Sequence, residues 1–413
     1  MKVLVIGGGG RCHAIVDALS KSSKVSQIFA APGNDGMRNL ATLVAIKETD
    51  VTNMLAFAKE NKIDLTVVGP EVALEAGMVD AFEAEGLMIF GPRKNAAQIE
   101  TSKNFAKELM KKYNIPTAEF KTFYDYDNAL AYVKEKGLPI VLKYDGLAAG
   151  KGVVIANTLE EASDALTDML INDKFGQSSV VIEDYLEGPE FSFMCFVDRE
   201  NVYPMVISQD HKRAFDNDLG PNTGGMGAYS GVPIISDEDI EYSLEHIMKP
   251  TAKALCLEGA PFKGVLYGGL MKTKNGVKVI EFNSRFGDPE TEIVLPRLKS
   301  DAFDVFYDII KGNTPTLEWC TCYTLGIVLA SKGYPNEYQK GYPIYGLDDV
   351  NALVYHMGTK FNNRNYETNG GRVLIVVGKG TTLKEAQQNA LKEVEKIKCD
   401  NLYYRRDIGF KSL

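Results

Sequence analysis

The first fourteen residues constrain the fold more than any other stretch. KVLVI (Lys2 to Ile6) has the length and branched apolar content of a buried strand. Four glycines, Gly7 to Gly10, then turn the chain into a helix carrying Ile15, Val16 and Leu19. Strand, glycine turn and helix bring backbone N–H groups to a helix N-terminus, where small residues let an anion approach. A dinucleotide fingerprint needs glycine at a third place. Gly7 and Gly9 fit, but the third place is Cys12. The next strand, QIFAA (Gln27 to Ala31), ends in Pro32, Gly33 and Asn34, with no acid to hold an adenosine ribose. These departures disfavour a nicotinamide-dependent oxidoreductase and suit a mononucleotide or sugar phosphate. The plainer alternative is a glycine turn that only packs a helix on a sheet.

The pattern then repeats. TLVAI (Thr42 to Ile46), DLTVV (Asp64 to Val68) and LMIF (Leu87 to Phe90) read as strands. Thr52 to Asn61 and Ala73 to Glu85 carry helical spacing, the second through Leu74, Met78, Val79 and Phe82. Alternating β and α predicts a parallel sheet with ligands at the carboxyl ends of its strands. Glu71 stands at such an end, as a hydrogen-bond acceptor for ribose or an ordinary surface carboxylate. GPRKNAAQ (Gly91 to Gln98) reads as a boundary.

Beyond it, a helix starting near Ser102 has Phe105, Ala106, Leu109 and Met110 on one face and Lys103 in its first turn. A cation there opposes the helix dipole, which is a reason to hold it for a phosphate. Ile140 to Lys143 and Val153 to Ala156 flank a glycine- and alanine-rich loop containing Lys151, predicting a hairpin. Lys151 is followed by Gly152, so this is no P-loop. A flexible loop with Lys143 on the first strand still suits a triphosphate. Thr158 and Glu161 form a capping box before a helix. SVVIEDYLEGPE (Ser179 to Glu190) reads as strand, connection, strand, with backbone groups to meet an adenine edge. Ile207 to Gly231 has five glycines and many polar groups. It predicts a long functional loop around Asp210, Lys212 and Arg213. In KVIEFNSRFGDPE (Lys278 to Glu290), Glu281 and Asn283 share one face of a strand end, with Arg285 beside them. Hard oxygen ligands next to an arginine fit Mg²⁺ carrying phosphates. Asp288 and Glu290 bracket Pro289. A helix from about Ser236 to Leu257, one from Asp301 to Gly312, strands at 324–330 and 372–378, and a helix from Thr382 to about Lys398 complete the pattern.

A formal charge of −9 argues against a general nucleic-acid binder, which needs a basic face. Six scattered cysteines and four histidines give no zinc pattern, and reduced thiols are expected. The N-terminal apolar run is too short for a signal peptide, and no run reaches the ~18 apolar residues of a spanning helix. A cytoplasmic protein is expected.

Together these stretches resemble the ATP-grasp ligases, and within them the glycinamide ribonucleotide synthetase family. The resemblance spans essentially the whole chain. It is carried by GGGGRCHA, APGN, VVGPE, YDGLAAGKGV, SQDHKR, GPNTGGMGAYS, EFNSRFGDPE and YYRRDIG. The hairpin loop and the EFN stretch are superfamily features, while SQDHKR, GPNTGGMGAYS and the RRDIG tail are more specific. The resemblance implies an α/β fold in three parts. These are an N-terminal parallel-sheet domain that binds phosphoribosylamine (residues 1–101), an ATP-grasp domain (102–320) and a small C-terminal α+β domain (321–413). A mobile lid subdomain at about 117–190 belongs to the second. The implied reaction joins glycine to 5-phosphoribosylamine through glycyl phosphate, with ATP as co-substrate and Mg²⁺ or Mn²⁺ as cofactor.

By the same resemblance, Glu281 and Asn283 hold the metal. Lys103, Lys143, Gly150, Lys151, Glu183, Tyr185, Leu186 and Glu190 bind ATP. Arg285 addresses the transferring phosphoryl group and Asp210 the glycine ammonium. Gly9, Gly10, Asn34 and Glu71 receive phosphoribosylamine. Two departures stand out: Cys12 replaces an acid in the usual GREHA motif, and YGGLMKT (Tyr267 to Thr273) lacks an acidic ligand for a second metal. The expected partners are small-molecule substrates, with no nucleic acid and no membrane. A monofunctional chain, monomeric or weakly dimeric, is expected.

Overall fold

Five parallel strands form the first layer, in the order Thr42–Leu43, Gln27–Pro32, Lys2–Gly7, Leu65–Val68 and Ile89–Phe90. This is a computed structural model, and it describes residues 1–147, 152–172, 174, 176 and 179–413. Val3 to Ile6 are fully buried because both faces of the sheet are covered. Alternation sends Leu4 and Ile6 to Met54 and Phe82 on one side, and Val3 and Val5 to Ile15 and Val16 on the other.

A second sheet of four antiparallel strands has the order Phe120–Phe123, Val180–Asp184, Ile140–Tyr144, Val153–Ala156. The helices Tyr126–Lys136 and Leu159–Leu170 pack on it. The predicted capping box starts the second of them: the Thr158 side chain accepts from Glu161 N, and the Glu161 side chain accepts from Thr158 N.

The third sheet is the largest. Its main path runs Gly276–Asn283, Lys263–Thr273, Glu190–Asp198, Ser208–Asp210, Gly227–Ser230, Tyr323–Ser331, Arg372–Gly380 and Leu353–His356. Tyr229 pairs with Leu325, so the sheet continues without a break from the second part of the chain into the third. The second and third sheets touch where Thr117 Oγ1 donates to Val279 O at 2.7 Å and Lys143 Nζ to Ile280 O at 2.8 Å.

Several local expectations need correction. Gly91 to Gln98 is not only a boundary, since a helix occupies Lys94–Thr101 before the next starts at Lys103. The stretch 73–85 is two helices, Glu71–Glu75 and Met78–Ala84, parted at Gly77 with φ +83°. Thr42 to Ile46 pairs over only two residues. The loop 207–231 is built from four short strands. Its glycines hid strands that pair with one another, Ser208–Asp210 with Gly227–Ser230 and Arg213–Phe215 with Leu219–Asn222, and Gly227–Ser230 also pairs with the distant Tyr323–Ser331. The helix from Asp237 carries one π-type turn at Leu244–Met248, and the last long helix ends at Val394. Cys320 and Cys322 form a disulfide across a bend in the chain, where free thiols are expected. Among the described residues no helix is long and apolar enough to cross a membrane.

An aromatic cluster joins the first layer to the third. Phe90, from the edge of the parallel sheet, lies 4.8 Å from Phe306 and 6.2 Å from Phe196 between ring centroids. Phe286 closes the cluster at 6.0 Å from both Phe196 and Phe306. All four rings are almost fully buried. Asp301 caps the helix Ala302–Lys311 that presents Phe306, accepting from Phe303 N and Asp304 N. Phe306→Ala would leave a cavity at this junction. Urea unfolding should show a loss of about 3–5 kcal/mol, and a loss below about 1 kcal/mol would contradict the role given to the cluster.

Candidate active site

The cleft between the second and third sheets is lined by lysines. Lys143 sits near the end of its strand, and Lys103 and Lys107 lie one turn apart on the helix Lys103–Lys112. Glu183 stands between them, 4% exposed, with Lys107 Nζ at 2.6 Å and Lys143 Nζ at 2.9 Å. Burial disfavours its charge, but the two ammonium groups more than offset this and lower its pKa. Burial pulls Lys107 down to about 8 against the pull of Glu183. Glu183, expected at an adenosine, is therefore committed to two lysines. Lys143 points on to Ile280 O, beside Glu281, while Lys103 donates to Gly146 O at 2.9 Å. Burial lowers the pKa of Lys103, while Glu281 acts to raise it.

Across the cleft, Glu281 and Asn283 lie on one face of the strand Gly276–Asn283, opposite Gly269 and Tyr267. The structure thus brings together the expected metal pair and the expected phosphate lysines. Two oxygen donors on one face, with cations opposite, suit a hard divalent ion that shares phosphate oxygens. Asn283 Oδ1 accepts from Arg285 Nη2 at 3.2 Å. Arg285 also meets Glu100 at 2.9 Å and Glu71 at 3.2 Å. Burial opposes its charge, yet Glu100 and Glu71 hold it well above the ordinary value.

Further along the cleft, Glu190 pairs with Lys212 at 2.7 Å. The charge of Lys212 lowers the pKa of Glu190. Glu290 Oε1 accepts from Tyr267 Oη at 2.5 Å and Ser192 Oγ at 3.0 Å. Burial pushes Asp210 up to about 7 against the pull of Lys212, with Glu290 and Glu190 adding to the rise. A carboxylate so placed gains from an arriving cation. Tyr185 is exposed and Leu186 half-buried in the connection between the sheets' strands. Gly150 and Lys151 lie outside the described residues.

The glycine turn forms a separate corner. Gly9 caps the helix Gly10–Ser20 with no side-chain hydrogen bond, leaving backbone donors at its N-terminus. A Cβ at Gly10 would overlap the Glu292 carboxylate and Met357, so the close approach requires glycine. Asn34 is not free: its Nδ2 donates to Gly8 O at 2.7 Å and His356 O at 2.9 Å. It ties the turn to the last part of the chain. Cys12 fills the space beneath the turn, donating to Ile6 O, and burial pushes its thiol up to about 12.

Sequence reasoning missed Lys107, Glu100, Arg11, Glu292 and Arg372. Lys107 could have been found, because it lies four residues after Lys103 on the same face. Glu100 accepts from Ser284 N at 2.8 Å and Ser284 Oγ at 2.9 Å besides meeting Arg285. Arg11 reaches Glu71 at 3.6 Å and Phe286 O at 2.7 Å. Glu292 is fully buried, and burial and then Asp288 push its carboxyl well above the usual range. Arg372 pairs with Asp288 at 2.9 Å.

Two sheets clasping a cationic cleft make this an ATP-grasp fold, a class of enzymes that uses ATP and typically a divalent metal. The family description of the phosphoribosylglycinamide synthetase N domain matches residues 1–100, that of the ATP-grasp (A) domain 101–291, and that of the C domain 324–411. Phosphoribosylamine–glycine ligases of Halalkalibacterium halodurans and Listeria monocytogenes are 57% and 52% identical, each over 100% of this chain and over 97% and 100% of their own. The crystal structure of phosphoribosylamine–glycine ligase from Thermotoga maritima has a TM-score of 0.87 at 31% identity, covering 99% of this chain and 100% of that one. The chain belongs to the phosphoribosylglycinamide synthetase family.

Glu71 gives a pH test of this geometry. Burial opposes its charge, but Arg11 and Arg285 lower its pKa from 4.5 to about 2. A carboxylate depressed on folding contributes stability above its unfolded pKa and loses it as protons bind. The contribution of Glu71 should be full above pH 4.5 and disappear as pH falls toward 2. Denaturation of wild type and Glu71→Gln across that range should show the stability gap closing with acid. A gap independent of pH would contradict the ion pairs.

Proposed function

We propose that this chain uses ATP to join glycine to 5-phosphoribosylamine, giving glycinamide ribonucleotide, ADP and phosphate, a step of purine biosynthesis. The full-length match to phosphoribosylamine–glycine ligases supports the substrates. The observation that carries the chemistry is the convergence of Lys143, Lys103 and Arg285 on the face bearing Glu281 and Asn283.

A carboxylate is a poor acyl donor, so glycine needs activation. One glycine carboxylate oxygen attacks the γ-phosphorus of ATP and ADP leaves, giving glycyl phosphate. The phosphoribosylamine nitrogen then attacks the acyl carbon. The bond from that carbon to the phosphate oxygen breaks, phosphate leaves with the electron pair, and the nitrogen gives up a proton. Both steps gather charge on oxygens, so positioning and fixed charge supply the catalysis. No serine or cysteine nucleophile is needed.

In this reading Lys103 and Lys143 hold the ATP phosphates, and Glu183 orients Lys143. Tyr185 and Leu186 border the adenosine. Glu281 and Asn283 would hold Mg²⁺ or Mn²⁺, which when bound neutralises phosphate oxygens. Arg285, fixed by Glu71 and Glu100, faces the phosphoryl group in transfer. Asp210 receives the glycine ammonium. The backbone N–H groups at Gly9 and Gly10 suit the phosphate of phosphoribosylamine, in a corner that Asn34 shapes and borders. ADP release should require glycine and freshly generated phosphoribosylamine together. Equal release with either one omitted, or turnover with another amino acid in preference to glycine, would overturn the assignment.

A further inference from the structure

Two motifs far apart in the chain, SQDHKR (Ser208 to Arg213) and YYRRDIG (Tyr403 to Gly409), meet in the structure. Arg405 is 1% exposed and is the hub of the contact. Its Nη1 donates to Asp218 Oδ1 at 2.9 Å and Arg213 O at 3.0 Å, and its Nε donates to Asp407 Oδ1 at 2.8 Å. Asp407 in turn accepts from Asn217 N at 2.7 Å, and Asp216 from Arg406 N at 2.8 Å. Lys411 meets Asp218 at 2.8 Å. One short segment of tail thus fixes both the backbone and the carboxylates of residues 213–218.

The contact extends into the strand that carries Asp210. Gly409 N donates to His211 Nε2 at 3.2 Å, and the His211 ring lies between those of Tyr229 and Phe410, at 5.8 and 5.7 Å. Tyr229 Oη bonds both Gln209 and Ser412. Alternation along extended chain puts Gln209 and His211 on one side and Asp210 and Lys212 on the other. The first pair faces the tail. The second faces the cleft, where Lys212 meets Glu190. The site machinery described above makes no use of the tail, although it is among the chain's most distinctive stretches.

We propose that the segment Tyr403–Leu413 positions the glycine-binding strand, with Gly409 and Ser412 holding its back through His211 and Tyr229 and Arg405 anchoring residues 213–218 that follow it, so that Asp210 and Lys212 present their charges to substrate. Arg405 is a positioning residue and touches no reacting atom. The assignment of glycine to Asp210 rests on the function proposed above. The positioning of the strand does not.

Arg405→Lys keeps the charge but cannot reproduce the forked contacts to Asp218, Asp407 and Arg213 O. A small displacement of a binding group far from the chemistry costs up to about a hundredfold. In the full chain, KM for glycine should rise about tenfold or more, while KM for phosphoribosylamine changes less than about twofold. Guanidinium ion at millimolar concentration should restore glycine binding to Arg405→Ala. Amide hydrogen exchange provides an arm that does not depend on the ligase reading. In Arg405→Lys, exchange should quicken across residues 208–226 and stay unchanged in the parallel sheet. Unchanged exchange at 208–226 overturns the proposal, even if the wild type ligates no glycine. Equal rises in every KM, with exchange quickened throughout the chain, also overturn it by reducing Arg405 to general stability. Absence of glycine-dependent turnover in the wild type, with exchange still quickened only at 208–226, would defeat the function and leave the positioning intact.

Discussion

Arg285 sits where the parallel sheet, the ATP-grasp cleft and the glycine turn meet. Its guanidinium is held by Glu100 and Glu71, both contributed by the N-terminal part of the chain. The same Glu71 holds Arg11, at the start of the helix after the glycines. A buried cation is tolerable only with its countercharges in place, and removing one partner leaves the other desolvated. The N-terminal domain therefore cannot shift against the strand bearing Glu281 and Asn283 without breaking these partly buried ion pairs. Arg285 donates to Asn283 as well, so the group read as facing the phosphoryl oxygen and the group read as holding the metal are set by one arrangement.

The lysine cleft follows the same rule on the other side. Glu183 is buried with two ammonium partners, and Lys143 has no other carboxylate among its described contacts. Such a cluster is a poor source of stability, because desolvation offsets most of the attraction. It is a good source of position. In the proposed reading, phosphates between Lys143 and Glu281 would meet charges that are already oriented, leaving little reorganisation for the reaction itself. The aromatic cluster of Phe90, Phe196, Phe286 and Phe306 supplies the apolar burial beneath this frame.

How much was legible in the sequence depended on how local each feature is. The strand and glycine turn at the start, the pairing of the two strands that flank the loop after Lys143 and the capping box at Thr158 are set by neighbours, and they form as read. The pairing of Glu281 with Asn283 on one face needs only the period of a strand. The setting of Glu183 was not legible, because VVIED shows a strand but not its partners. Lys107 and Lys143, from two other elements, close over it. Nothing local shows that His356 O would take one N–H of Asn34. Glu100 and Arg372 carry no periodic signal, since their meaning lies in partners distant along the chain. The reading of 207–231 as a loop missed its short strands, which pair across the loop itself and are held from outside by Leu325 and the tail.

The central claim is that this arrangement of charges activates a carboxylate through phosphoryl transfer. The bond made in the first step leaves a trace, because the glycine oxygen that attacks phosphorus departs with phosphate. Glycine labelled with heavy oxygen in its carboxylate, turned over with ATP and phosphoribosylamine, allows mass analysis of the released phosphate. The account predicts one labelled oxygen in each phosphate formed. Unlabelled phosphate alongside normal product would contradict it.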